Sequence, residues 1–218
     1  MQWNDITEYI TWNPTSSRQH TFTVSTIDGG VIDEYLELER IWSPYYLSSD
    51  LVIPSDQTMR IYDGVALRVS DGVTITVEGV MDTGYSTISS TGGGARWGGL
   101  IVGHSSDTSL SIVGTNLVEG SPILSVENDA QVTISNALFA RSGGAEPLIS
   151  INSMGMSLVY ISSTTLMDSS SNCLEIYSGE LFLSNSDIKN CAGDTIWARG
   201  SWIDIDGVEA NGDVSLEG

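Results

Sequence analysis

The carboxylates, histidines, cysteines and aromatic rings of this chain are the groups that could do chemistry. Asp204 and Asp206 stand two residues apart. On an extended strand that spacing separates their Cα atoms by about 6–7 Å, which suits two acids flanking a glycosidic bond. Asp206, however, sits before Gly207 in a turn, where aspartate is ordinary. Asp204-Ile205-Asp206-Gly207 also resembles the start of a calcium loop, but Val208 occupies the next ligand position. Loose calcium binding by these acids is the one metal expectation. His20 and His104 are the only histidines. His104-Ser105-Ser106-Asp107 holds the residue types of a nucleophilic triad, but neighbours on one loop do not converge as a triad must, and a polar corner explains them. Cys173 and Cys191 lack the spacing of a zinc site; one bridge or two small buried residues are both compatible with them.

The aromatic residues are more informative, because a repeat fixes where they point. One pattern recurs from residue 110: apolar, any, apolar, two turn residues, small, any, apolar. It is carried by Leu110/Ile112/Thr115/Leu117, Val132/Ile134/Ala137/Phe139 and Val159/Ile161/Thr164/Leu166. Leu181/Leu183/Ser186/Ile188 and Ile203/Ile205/Val208/Ala210 continue it. The starts lie 22, 27, 22 and 22 residues apart, the 27 reading as a five-residue insertion near Gly143–Pro147. The internal spacing of two is that of a strand with one face turned to a core. Gly114, Asn136, Ser163, Asn185 and Gly207 follow the first strand in a column, and Gly and Asn tolerate a left-handed bend there. A further strand follows at Leu124/Val126, Ile149/Ile151, Leu174/Ile176 and Ile196/Ala198. Coils of about 22 residues with two or three short strands each predict an all-β parallel β-helix. About seven coils would extend roughly 34 Å.

The repeat places Ser111, Thr133, Tyr160, Phe182 and Asp204 in one outward column and Ser125, Ser150, Glu175 and Trp197 in another. Tyr160 and Phe182 should therefore stack about 4.8 Å apart. Trp197 and Trp202 fall on neighbouring outward positions of the final coils. Tyr160, Phe182, Trp197, Trp202 and Glu175 form the candidate binding set. A glycan stacking on the rings, a protein or domain interface, and packing under a loop all remain open.

Residues 51–218 carry the helix; residues 1–50 lack the 22-residue repeat and read as an N-terminal capping segment. The last coil shows no polar cap, so a longer parent chain or another chain is expected to cover it. Met1-Gln2-Trp3-Asn4-Asp5 has neither the basic nor the apolar part of a signal peptide, as expected of a processed or excised piece.

Composition narrows the partners. Eight Lys and Arg against 28 Asp and Glu give a net charge of −20 over 218 residues. That argues against nucleic acid, which demands cations against phosphate, and against attachment to an anionic membrane surface. No apolar run approaches the roughly 18 residues of a membrane helix. A single lysine among many Ser, Thr, Gly and acidic residues suits an extracellular or cell-surface protein.

Asp50-Leu51-Val52-Ile53-Pro54, Met59-Arg60-Ile61-Tyr62-Asp63-Gly64-Val65, Val73-Thr74-Ile75-Thr76-Val77-Glu78-Gly79 and Trp97-Gly98-Gly99-Leu100 carry a resemblance. Through them, residues 45–218 resemble the right-handed parallel β-helix repeat proteins of the pectate-lyase-like superfamily. The resemblance implies right-handed coils and a secreted or surface setting. It also brings a class of activity, polysaccharide lyase or glycoside hydrolase. Lyases of that superfamily combine calcium-binding acids with a basic residue, and the scattered arginines do not match that pattern. The expected function is a non-enzymatic extracellular module, a rigid spacer with an adhesion or glycan-recognition surface. A carbohydrate-active enzyme is the alternative. Ice binding finds only the Thr74-Ile75-Thr76 rung, and tailspike-like assembly would require a trimer.

Overall fold

The computed structural model describes residues 6–8, 22–103, 107–153 and 157–217. His20, the proline-blocked glycosylation triplet Asn13-Pro14-Thr15 and His104-Ser105-Ser106 lie outside the described residues.

Each coil contributes three strands, and the coils stack into three parallel sheets. Among the described residues, sheet 1 has eight strands, from Leu36–Leu38 to Trp202–Asp206. Sheet 2 has ten, ending at Glu209–Ala210, and sheet 3 has nine, from Gly30–Val31 to Val214–Glu217. The expected register holds: Leu110 faces Val132, Val132 faces Val159, and Val159 faces Leu181. The sheet-3 offset from Leu124 to Ile149 is 25 residues, against 27 from Val132 to Val159 in sheet 1. The insertion is therefore split between the corner at 141–148 and the one after Asn152.

Alternation buries one continuous apolar column per sheet. Leu110, Val132, Val159 and Leu181 are all within 1% of full burial. The column of turn residues is left-handed throughout, with φ of 66° at Gly114, 52° at Asn136, 50° at Ser163, 47° at Asn185 and 61° at Gly207. Thr115, Ala137, Thr164 and Ser186 after it are buried, and hydroxyls among them bind backbone at the bend: Thr164 donates to the Ser162 carbonyl and Ser186 to that of Ser184. A larger side chain there would push sheet 1 from sheet 2.

Parallel pairing does not stop at residue 50. Ser25 pairs with Tyr45, Tyr45 with Leu67, and Leu36 with Met59. Leu36/Leu38 and Tyr45/Leu47 turn inward as later pairs do. Their corner is a 3-10 turn at Arg40–Trp42, without the Gly/Asn signal, so the segment expected as a cap already builds coils. Ile6–Glu8 departs from the pattern, pairing antiparallel to Phe22–Val24.

The last coil is open. Ile205, Val214 and Leu216 repeat the inward pattern yet are 43%, 48% and 66% exposed. Cys173 and Cys191 are bridged, at a Cα separation of 5.5 Å. The bridge ties the start of a sheet-3 strand to the end of a sheet-2 strand one coil later.

Candidate functional site

The five expected binding residues fall on two faces. Gly200-Ser201 turns the chain between Trp197 and Trp202, so these two residues stand in sheets 3 and 1 rather than side by side.

On sheet 1, Tyr160 faces Phe182 across the ladder and their rings stack, centroids 4.6 Å apart and planes 16° apart. Trp202 adds a third ring, 4.9 Å from Phe182 and tilted by 56°. Tyr160 and Trp202 are exposed and Phe182 is half-buried. Because the rings stack along the solenoid axis, the faces of Phe182 are spent on its neighbours. Of Phe182, mainly the ring edge remains for a ligand.

On sheet 3, Glu175 faces Trp197 across the ladder. Asn172 donates to Glu175 Oε1 at 2.7 Å, and the Tyr177 hydroxyl donates to Oε2 at 3.3 Å. The Tyr177 and Trp197 rings are 4.9 Å apart at 57°. Tyr177 is the extra residue of an irregularity: Ile151 pairs with Ile176 and Asn152 with Ser178. Such bulges re-aim a side chain. The negative charge of Glu175 raises the Tyr177 phenol above its usual pKa, assisted by burial and by Glu146, so the hydroxyl stays a donor. Ser150 and Ser125 continue the Trp197–Glu175 column over the next two rungs.

A third cluster escaped the sequence reading. Glu119, Arg141, Asp168 and Asn190 end successive sheet-2 strands with φ of 67°, 62°, 59° and 56°. Left-handed backbone is costly for side chains other than Gly and Asn. Arg141 pairs with Glu119 at 3.3 Å, and Asn190 donates to Asp168 at 3.0 Å. The Ser90 hydroxyl donates to Glu119 Oε2 at 2.7 Å. With the charges of Arg141 and Arg96, that bond holds the Glu119 carboxyl below the usual range, against the opposing effect of burial. Applying the 22-, 27- and 22-residue offsets to Glu119 would have found this column.

At the other end of sheet 1, Glu37, Arg60 and Asp82 occupy the column that later carries Tyr160 and Phe182. Arg60 reaches Asp82 at 3.4 Å, and Tyr62 donates to Glu37 at 2.6 Å. Asp204 faces Phe182, and Asp206 faces Ser184, both exposed on the last sheet-1 strand. Among the described residues no group of three His, Cys, Asp or Glu side chains could hold a metal ion.

Neither a protein-family model, nor a curated protein, nor a solved structure matches this chain.

Proposed function

We propose that the chain is a non-enzymatic extracellular or cell-surface module, a rigid β-solenoid spacer whose outer faces recognise a glycan or protein partner. The observation that carries this reading is the pair of ordered aromatic groups on the outside of a stiff stack of coils. The Cys173–Cys191 bridge supports an oxidising compartment, where disulfides persist. The exposed apolar Val214 and Leu216 support a partner surface that covers this edge of the solenoid. Three short parallel strands per coil are consistent with the right-handed pectate-lyase-like superfamily. Asp204 and Asp206 are the calcium candidates of this reading, so binding is measured with and without calcium.

A carbohydrate-active enzyme is the second reading. The left-handed charged corner of Glu119, Arg141 and Asp168 favours it, since strained backbone clusters at catalytic sites. Affinity electrophoresis through polysaccharide gels separates the two readings. Retardation without liberated sugar supports the module. New reducing ends or unsaturated products, lost on Arg141→Ala, support the enzyme.

A further inference from the structure

The two aromatic groups differ in what a ligand would meet: a carboxylate faces a ring across the ladder in both, Asp204 opposite Phe182 and Glu175 opposite Trp197, and Glu175 is held in place by two donors. A saccharide ring offers an apolar face and a rim of hydroxyls. Its receptor needs a ring face with polar groups fixed at the edge. Sheet 3 supplies the ring pair Tyr177 and Trp197 beside Glu175, a carboxylate already oriented by Asn172 and Tyr177. Each carboxylate oxygen keeps a lone pair for a sugar hydroxyl after accepting one bond. The bulge at Tyr177 leaves that residue out of the ladder and turned to the patch.

The column extends the patch along the solenoid axis. Trp197, Glu175, Ser150 and Ser125 stand on consecutive rungs, about 4.8 Å apart. They offer one ring followed by three hydroxyl or carboxylate groups over about 14 Å. A short extended oligosaccharide would meet each in turn. Glu175, the nearby Glu146 and the net charge of −20 repel uronates and sulfated sugars.

Resting on the recognition reading above, we propose that the outer face of sheet 3, built on Trp197, Tyr177, Glu175 and Asn172, binds a neutral oligosaccharide. The sheet-1 ladder of Tyr160, Phe182 and Trp202 is packing, not the sugar site.

The test is isothermal titration of the full chain with neutral hexasaccharides (cellohexaose, xylohexaose, mannohexaose and chitohexaose). Oligogalacturonate and chitosan oligomers serve as the charged arms. Binding of at least one neutral probe is expected. It should weaken about tenfold or more in Trp197→Ala and in Glu175→Gln, and hold in Tyr160→Ala/Phe182→Ala. Trp197→Phe, which keeps a ring, should fall between, and circular dichroism confirms that each variant is folded. Loss of neutral-sugar binding in the sheet-1 variant alone would overturn the site and leave the recognition reading standing. Binding of charged probes only would overturn the ligand class. No binding by any probe would overturn the inference and leave a protein as the partner in the recognition reading. Turnover of a probe would instead overturn the recognition reading itself.

Discussion

The two aromatic groups sit on neighbouring coils, yet one stacks three rings into a ladder and the other sets a ring pair beside a carboxylate held by two donors. In sheet 1, Phe182 lies between Tyr160 and Trp202, at 4.6 and 4.9 Å. In sheet 3, Trp197 packs on the Tyr177 ring, and a carboxylate held by two donors stands across the ladder from it. Exposure alone therefore does not make a site. Position along the axis is shared by both groups; what differs is whether ring faces and hydrogen-bonding groups are left for a partner.

The disulfide bears on both groups at once. The segment between Cys173 and Cys191 carries Glu175, Tyr177 and Phe182, so the bridge closes a loop holding part of each group. Replacing both cysteines by serine should cost about 2–4 kcal/mol in denaturant unfolding, the largest effect expected here. Sugar binding and the ladder should weaken together. Next comes Phe182→Ala, which removes two ring contacts and should cost about 1–3 kcal/mol. Trp197→Ala should cost less stability while removing sugar binding. An equal stability loss at the two positions would break the contrast between ladder and patch.

Glu119 tests the strained corner at the end of the sheet-2 strands. Its pKa is depressed in the fold, chiefly by Ser90, so its contribution is present above the ordinary carboxylate value of 4.5 and is lost as pH falls through the depressed one. Ser90→Ala should therefore lower the melting temperature at neutral pH. The gap to wild type should narrow as the pH falls below about 4.5. A gap that does not change with pH would detach Ser90 from the Glu119 charge. The smallest effect belongs to Arg60 and Asp82 at the far end of the ladder column. Both are well exposed and screened by solvent, so a double-mutant cycle should find the two single effects close to additive.

Most of the solenoid was legible because one physical rule repeats: alternate residues turn inward and a left-handed residue closes each first corner. That rule placed Leu110 through Ile203 and the Tyr160–Phe182 stack in register. It failed over residues 25–50, where the Arg40–Trp42 turn replaces the Gly/Asn signal. The candidate site was half legible. Glu175 and Trp197 emerged from the outward column. Tyr177 did not, because the bulge that presents it breaks the period of two on which the column was read. Asn172 lies in a corner, where strand periodicity says nothing about direction. The charged corner stayed hidden because Glu and Arg are not the residues expected in left-handed backbone.

The most direct measurement is the indole N–H region of the nuclear magnetic resonance spectrum during titration with the neutral hexasaccharide that binds best. Trp197→Phe and Trp202→Phe each delete one signal and so assign it. The Trp197 signal should shift with added sugar, and the Trp202 signal should stay in place. A shifting Trp202 signal beside an unmoved Trp197 signal would contradict the division of labour between the two faces.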